Sequence, residues 1–574
     1  MTEPVASPTK LDKLRAIAAR GWVQGVLVGV LTLVGMLYYQ FVPTVVDTEE
    51  GTAVHAASVG FPDPDSYYHV KMGYLYRTGE VQAAGPDFHW SRESLWANSF
   101  SDKDFLFHVY LVPFTLLADG PADAQGLATA GKLGTAVLGL LLVLTLFAVM
   151  RGFGLRHAWL YTLCLAAVGG TYIIFRLNMC RSYLMALAFV LTGWLMLARG
   201  RRLPLFLISI AYTLSYTASH LLLALAVIRA ASELLVGPRA DSTRWKDLKS
   251  NLVLMACIGA GIAVGCILHP NSLELVRVWW VQNVVVLALS HRDTVAPVVE
   301  SLGKILGLSA DLQSDVELSL GRELEPATGP VLAFSSPLIL FSPIVLPLLA
   351  AILGHRPARE TILTSGAALA FLVAYMVNIR FIEYAAPFMV VAIGMWLEGI
   401  LGSDGYKSWM EKRPVWSRAL PISGAVIALI ASLSMWIGTS LSYRIPDYGS
   451  IEPAGRWLHN NPEAHGKVVW HDRWDEFTDL IFFASECDYL IGLDPTFFYV
   501  HDAQKYKAWV EIKRGKRREF LDTIKDDFNA DYILAHRGSS EYFYNRLNDY
   551  AQQGKLELCI RAEDDEWALY RIVK

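Results

Sequence analysis

The chain has 574 residues, 53% of them hydrophobic and 18% charged, with a mean hydropathy of +0.34. That is too apolar for a soluble globular protein and too often interrupted by polar stretches for a single anchor, so the composition describes a polytopic membrane protein. A formal net charge of −4 with no basic block excludes nucleic acid as an expected partner.

An α-helix needs roughly 17 to 25 apolar residues to cross about 30 Å of hydrocarbon. The first such run, 22–43, follows Lys10, Lys13, Arg15 and Arg20 with no small-residue cleavage site behind it. It reads as a retained span with the amino terminus in the cytoplasm. Further spans are predicted at 128–150, 158–175, 182–198, 203–217, 219–236, 251–268, 329–353, 361–377, 381–401 and 419–441. With 105–118 kept as a short interfacial segment, the clusters Arg151/Arg156, Arg199/Arg201/Arg202, Arg239/Arg244/Lys246/Lys249, Arg356/Arg359 and Lys407/Lys412/Arg413/Arg418 all fall on the cytoplasmic side. If 105–118 spanned, every later cluster would move outside. The expected fold class is a polytopic α-helical membrane protein of about 11 to 13 spans with an extracytoplasmic α/β domain at its carboxyl end.

On this topology residues 1–441 form the membrane domain, with large external loops at 44–104 and 269–328, and residues 442–574 form the external tail. Strand-length apolar runs at 467–470, 489–493, 531–535, 556–560 and 567–572 alternate with helical patterns at 453–460, 516–528 and 541–552, which predicts a layered sheet with covering helices. Of six cysteines only Cys487 and Cys559 lie in the tail, where an oxidising compartment would allow them to pair; no spacing supports a zinc site. The Lys574 end carries no retention signal, and the single-chain design suits a prokaryotic plasma membrane with its working face outside.

The polar residues at that face concentrate in Asp63-Pro64-Asp65-Ser66-Tyr67-Tyr68-His69 and at span ends: Arg176 and Arg181, His220, His269, and Arg380 beside Asn378 and Glu383. Pro-Asp-Pro-Asp alone is good turn chemistry. Collected at one membrane face, however, acids and arginines suit an anionic lipid-linked substrate, because Arg engages phosphate bidentately and Asp can act as general base for an acceptor. That combination points to glycosyl transfer from a polyprenyl phosphate or pyrophosphate to a glycan, lipid or protein acceptor.

Asp65-Ser66-Tyr67-Tyr68-His69 resembles the Asp-Pro-Trp-Tyr-His type of motif in the first external loop of oligosaccharyltransferase catalytic subunits, which belong to the GT-C class of multispan glycosyltransferases. Arg380-Phe381-Ile382-Glu383-Tyr384-Ala385-Ala386-Pro387 is similar to the Arg-Phe-x-x-Tyr-x-x-Pro stretch of that family. The resemblance implies that Asp65, helped by Asp63, lies in the catalytic centre, and that Arg380, with Arg176 or Arg181, binds the donor phosphate. It also implies a loop glutamate, Glu323 or Glu325, sharing Mg²⁺ or Mn²⁺ with Asp65. Tyr68, His69, His220 and His269 complete the expected site.

Two departures stand against that pattern. The stretch Phe175 to Arg181 lacks the family's second acidic pair, which leaves a metal-independent mechanism open. The tail has Trp470-His471-Asp472-Arg473-Trp474-Asp475 where the family's sequon-reading Trp-Trp-Asp-Tyr-Gly is expected. Transfer to protein is therefore the second reading within enzymes. The competing class, a transporter or a silent scaffold, calls for internal repeats and interrupted helices around a midplane site; the chain shows no repeat, and its polar residues sit at span ends.

Overall fold

The computed structural model describes residues 21–41, 44–47, 53–56, 59–82, 88–236, 241–290, 296–306, 326–330, 332, 336–442 and 449–573. The loop glutamates Glu323 and Glu325 lie outside the described residues.

Helix α1 (Gly21–Phe41) leads through a short hairpin, β1 (Thr44–Asp47) and β2 (Ala53–Ala56), to α2 (Asp65–Thr78) and α3 (Phe105–Leu111). The membrane domain continues with α4 (Ala124–Gly152), α5 (Ala158–Leu163), α6 (Leu165–Leu177), α7 (Tyr183–Ala198), α8 (Arg202–Ser215), α9 (Leu221–Val236) and α10 (Asp241–Leu268). After the short helices α11 (Ser272–Trp280), α12 (Val286–Ser290) and α13 (Ala296–Leu306) come α14 (Pro337–Ile352), α15 (Arg359–Val377), α16 (Ile382–Gly402), α17 (Asp404–Glu411) and α18 (Pro414–Ser442).

Among the described residues, seven segments are long and apolar enough to cross a membrane: Gly21–Phe41, Ala124–Gly152, Ala158–Leu177, Lys246–Leu268, Arg359–Val377, Ile379–Gly402 and Ala419–Leu441. The other four expected spans are helices too, but α7, α8, α9 and α14 have only 14 to 16 residues, about 21–24 Å of rise. At 7 residues, with a four-residue 3₁₀ turn behind it, α3 is shorter still, as an interfacial segment should be.

Burial sorts these helices into a centre and a rim. Ile379–Gly402 and Ala124–Gly152 are 67% and 61% buried, whereas Ala419–Leu441 is 6% buried and turns Val426, Ile427, Ile430 and Leu433 outward. Such apolar exteriors belong against lipid, where they carry no penalty. The segment Ala158–Leu177 kinks at Gly170, whose φ of 67° lies in the left-handed region that only glycine adopts freely.

After α18 comes the mixed α/β domain, which is α19 (Glu452–Asn460), β3 (Val468–His471), α20 (Phe477–Phe483), β4 (Asp488–Tyr489), α21 (Pro495–His501), α22 (Ala503–Lys513), β5 (Tyr532–His536), α23 (Glu541–Gln552), β6 (Leu556–Arg561) and β7 (Trp567–Ile572). The sheet order is β4-β3-β5-β7-β6, with β3 parallel to β4 and β5, and β7 antiparallel to β5 and β6. All five predicted strands are present. The helix expected over 516–528 is reduced to a π turn, Thr523–Asp527, and α20, α21 and α22 were not anticipated. Cys487 and Cys559 are both free thiols, and Cys487 Sγ donates to the Ala464 carbonyl.

The first loop is built into this domain. Residues 90–93 run along the β4 edge, where Arg92 and Glu93 donate backbone bonds to Tyr489 and Leu490 and Tyr489 donates back to Trp90. Asp488 accepts from Arg92 Nε (2.8 Å) and meets His89 Nδ1 (2.7 Å), and Trp90 Nε1 donates to the Ser485 carbonyl (2.6 Å). An edge that would otherwise expose unpaired backbone groups is thereby closed, and the tail is fixed over α2.

Candidate active site

The Asp63–Asp65 segment is a helix start. Pro64 has helical φ and ψ of −63° and −40°, Tyr67 N–H donates to its carbonyl, and Asp65 stands in the first turn, where a carboxylate is favoured by the helix dipole. From Ser66 to Leu75 every residue of α2 is buried, because the helix is wrapped by α3, α4 and α20. The fit against α4 needs Gly131, where a Cβ would lie 2.6 Å from Phe61 Cζ. From the tail, Phe482 packs edge-on to Tyr67 with ring centroids 5.0 Å apart, and the buried Lys71 ammonium donates to the Pro121 and Phe482 carbonyls.

The two acids differ in exposure. Asp63 is buried, accepts the Ser66 hydroxyl, and takes Arg181 Nε at 2.6 Å. The Asp65 side chain is 33% exposed and meets Arg181 Nη1 at 2.9 Å. One guanidinium therefore spans both carboxylates, leaving Asp65 as the acid open to a ligand.

Span ends from distant parts of the sequence close around them. Ser182 at the start of α7 donates to Asp104 Oδ1 (2.6 Å), His269 beyond α10 donates from Nε2 to the Asp102 carbonyl (2.9 Å), and Arg380 before α16 donates to the Tyr216 hydroxyl at the end of α8 (2.8 Å). His69 Nδ1 lies 2.8 Å from His108 Nε2, while the His220 ring accepts from Trp279 on α11 (3.2 Å) and packs edge-on to it. Tyr68 is buried with its ring against His69, His108 and Phe477, and burial pushes its phenol well up, so it stays neutral.

Asp102, Lys103, Asp104 and His108 were missed in the sequence. Lys103 Nζ meets Asp104 Oδ2 at 2.6 Å, and His108 Nδ1 meets Asp102 Oδ2 at 2.7 Å. Burial works to raise the Asp104 carboxyl, but Lys103, His69 and His108 outweigh it and hold it below the usual range. The available signal was the Asp-x-Asp spacing at 102–104 with a histidine one helical turn on, and it supplies buried acids that the stretch Phe175 to Arg181 lacks.

Arg176 is placed differently from Arg380. It is buried, donates to Glu383 Oε2 from Nη2 (2.6 Å) and Nε (3.2 Å), and lies 4.3 Å over the Tyr183 ring. This pair ties α6 to α16. Removing one partner leaves a buried charge uncompensated, so Glu383→Ala is expected to destabilise the protein by about 3–5 kcal/mol, and Arg176→Met with Glu383→Leu by less than either single change. Thermal melts in detergent check this; single variants melting like the wild type would show the pair to be idle.

Among the described residues, two groups of buried side chains have the donor types and proximity to hold a metal ion, His69/Asp104/His108 and Asp472/Glu476/His536, each with its ligand atoms within 4.8 Å of one another. Glu323, the expected partner of Asp65 at a metal ion, lies outside the described residues, and Asp65 itself faces Arg181.

By sequence the chain matches no family model and no curated protein. By structure it aligns with the *Archaeoglobus fulgidus* oligosaccharyltransferase in its apo form at TM-score 0.59 and 11% identity, over 91% of this chain and 70% of that one. It also aligns with the same enzyme, AglB, in complex with an inhibitory peptide and a dolichol-phosphate at TM-score 0.57 and 11% identity, over 96% and 74%. ArnT from *Cupriavidus metallidurans* aligns at TM-score 0.53 and 14% identity, over 97% of this chain and 98% of that one. This is the GT-C fold.

Within the GT-C fold, the tail's Trp470–Asp475 segment leads into a clamp of its own. His536 Nδ1 is 2.9 Å from Asp472 Oδ1 and its Nε2 is 2.8 Å from Glu476 Oε1, all three buried. Burial opposes the charged imidazolium, but the bonds to Asp472 and Glu476 prevail and raise His536 to about 10, while burial lifts Glu476 to about 7. A histidine raised when folded stabilises fully below its unfolded value near 6.5, and that stabilisation is lost as pH rises through the folded value. Glu476 acts in the same direction, because its ionised form is disfavoured in the folded chain. The melting temperature is therefore expected to fall between pH 7 and 10 by the equivalent of about 3 kcal/mol, with His536→Gln flattening the slope. An equal slope in that variant would assign the pH dependence elsewhere.

Proposed function

We propose that the protein is a membrane glycosyltransferase that transfers a sugar or oligosaccharide from a polyprenyl phosphate or pyrophosphate to an acceptor at the face bearing Asp65, and that this face is extracytoplasmic. The observation that carries the reading is Asp65 itself, the exposed member of a carboxylate pair spanned by Arg181, at a face where Arg380 also stands. The bound dolichol-phosphate named for AglB supports the donor class by likeness of fold. The orientation rests on the basic residues at the opposite helix ends, such as Arg151, Arg229 and Arg359, which bond to the Leu155 and Leu197 carbonyls and to Glu233.

In this reading Asp65 accepts the proton of the acceptor nucleophile as that atom bonds to the anomeric carbon. The bond from the anomeric carbon to the phosphate oxygen breaks, and the phosphate leaves with its electron pair, neutralised by Arg380. Arg181 keeps Asp63 and Asp65 at fixed separation, and Arg176, paired with Glu383, supports the fold. A divalent ion in such a site supplies further charge neutralisation at the leaving phosphate.

A second reading, oligosaccharyl transfer to protein, is favoured by the likeness to an enzyme captured with an acceptor peptide containing an NVT sequon. Against it stands the tail's Trp470–Asp475 segment, which lies where the sequon-reading Trp-Trp-Asp-Tyr-Gly is expected. An NVT peptide offered with lipid-linked donor separates the two acceptors. The donor class is tested by mass spectrometry of lipid copurifying with the protein. Polyprenyl phosphate or its glycosylated form is expected, and only the bulk phospholipids carried by an unrelated membrane protein would overturn the reading.

A further inference from the structure

We infer that His69, His108 and Asp104 form a binding site for a transition-metal ion of the Zn²⁺ or Co²⁺ type, one helical turn along α2 from Asp65. It shares no ligand with the Asp65 and Glu323 site that the sequence resemblance implies.

The geometry begins behind the ligands. Asp102 Oδ2 takes the Nδ1 proton of His108 at 2.7 Å and also the Tyr76 hydroxyl at 2.8 Å, while Asp102 Oδ1 accepts the Asp104 backbone N–H at 3.0 Å. That fixes the His108 tautomer, so its Nε2 carries a lone pair. A carboxylate behind a histidine, itself held by further hydrogen bonds, is how protein metal sites orient an imidazole and raise its basicity. The lone pair faces His69 Nδ1 at 2.8 Å, and the nearest ligand atoms of His69, His108 and Asp104 all lie within 4.8 Å of one another.

The surroundings suit a cation. His69, His108 and Asp104 are 5%, 0% and 1% exposed, and Tyr68 and Phe107 pack their rings on the two imidazoles. With both imidazoles neutral, as ligation requires, Asp102 and Asp104 carry two negative charges against one positive charge on Lys103, so the cluster in that state is short of a positive charge. Asp104 holds Lys103 on Oδ2 and Ser182 on Oδ1, and a carboxylate retains lone pairs beyond those two bonds. His69 comes from α2 and His108 from α3, two helices packed on each other, so the ligands stand on rigid elements. Two nitrogens and one oxygen suit Zn²⁺ or Co²⁺, whereas Mg²⁺ takes oxygen donors.

The tail cluster lacks this arrangement. Both nitrogens of His536 face carboxylates, Asp472 on one side and Glu476 on the other, which leaves no imidazole lone pair for an ion. It therefore serves as the internal control.

The experiment measures metal in the full chain, purified in detergent without a histidine tag, loaded with Zn²⁺ or Co²⁺ and freed of excess by gel filtration. Close to one ion per chain is expected for the wild type, with visible Co²⁺ bands showing nitrogen ligation. His108→Gln and His69→Gln should each lower the content more than tenfold while eluting as the wild type does, and His536→Gln should keep the ion. Less than a tenth of an ion in the wild type, or full retention in His108→Gln, would overturn the site. Should the glutamine variants fail to fold, Asp104→Asn must lower the content likewise, and retention there overturns the site as well. No sugar donor is present, so the outcome is independent of the transfer reaction proposed above.

Discussion

Asp65→Asn is expected to lower the rate of sugar transfer by about a thousandfold while the protein still inserts, folds and retains its lipid. The size follows from losing a general base, a loss typically of 10² to 10⁴. The asparagine is isosteric and can still face Arg181, and the second carboxylate of the pair, Asp63, remains bonded to Arg181 Nε and to Ser66. The start of α2 therefore keeps its anchors. A side chain that is 33% exposed also has little packing to lose. Rates are compared in proteoliposomes at equal protein, with thermal melts and copurified lipid as controls for folding. A variant within tenfold of the wild type would remove Asp65 from the chemistry.

Arg380→Ala should act on the donor. Its guanidinium donates to the Tyr216 hydroxyl at the end of α8 and its backbone N–H is capped by Asn378, so both the side chain and its backbone are held in place. A charge-assisted bond to phosphate contributes about 1.5–3 kcal/mol, which makes donor affinity fall by roughly 10- to 150-fold. Arg380→Lys should recover only part of that, since an ammonium cannot reproduce a bidentate fork. Acceptor KM is expected to change little. Donor affinity unchanged in Arg380→Ala, measured by titrating labelled polyprenyl phosphate, would take Arg380 out of its role. Arg176 offers the contrast, because its partner is the Glu383 carboxylate and its replacement is read in stability.

The sequence carried the frame of the fold because the bilayer imposes a length on every crossing. Runs of apolar residues and alternating basic loops located the eleven expected spans as helices, but hydropathy could not show that α7, α8, α9 and α14 are only 14 to 16 residues long, since helix length depends on where the backbone turns. The site was legible only in part. Asp63, Asp65 and Arg181 are drawn together, while His69 stands one helical turn on against His108. The turn chemistry of Pro-Asp-Pro-Asp concealed a helix start, because Pro64 suits either. The pairing of Arg176 with Glu383 could not be read, for the two are 207 residues apart in the chain. Asp102 and Asp104 fall at the end of the expected external loop 44–104; only the packing of α2 on α3 reveals that they are buried beside two histidines. The tail showed its five strands through apolar runs, whereas the short helices α20, α21 and α22 owe their form to packing against the first loop and the sheet.

The measurement that bears most directly on the central claim is the fate of the donor lipid. Proteoliposomes of the full chain are given a panel of polyprenyl-linked sugars with glycan, lipid and NVT-peptide acceptors, and free polyprenyl phosphate or pyrophosphate is followed by mass spectrometry. The account predicts that at least one donor is converted to the free lipid phosphate in step with glycosylated acceptor, and that Asp65→Asn stops both. Wild-type protein that retains its lipid but converts no donor, or conversion that continues undiminished in Asp65→Asn, would contradict it.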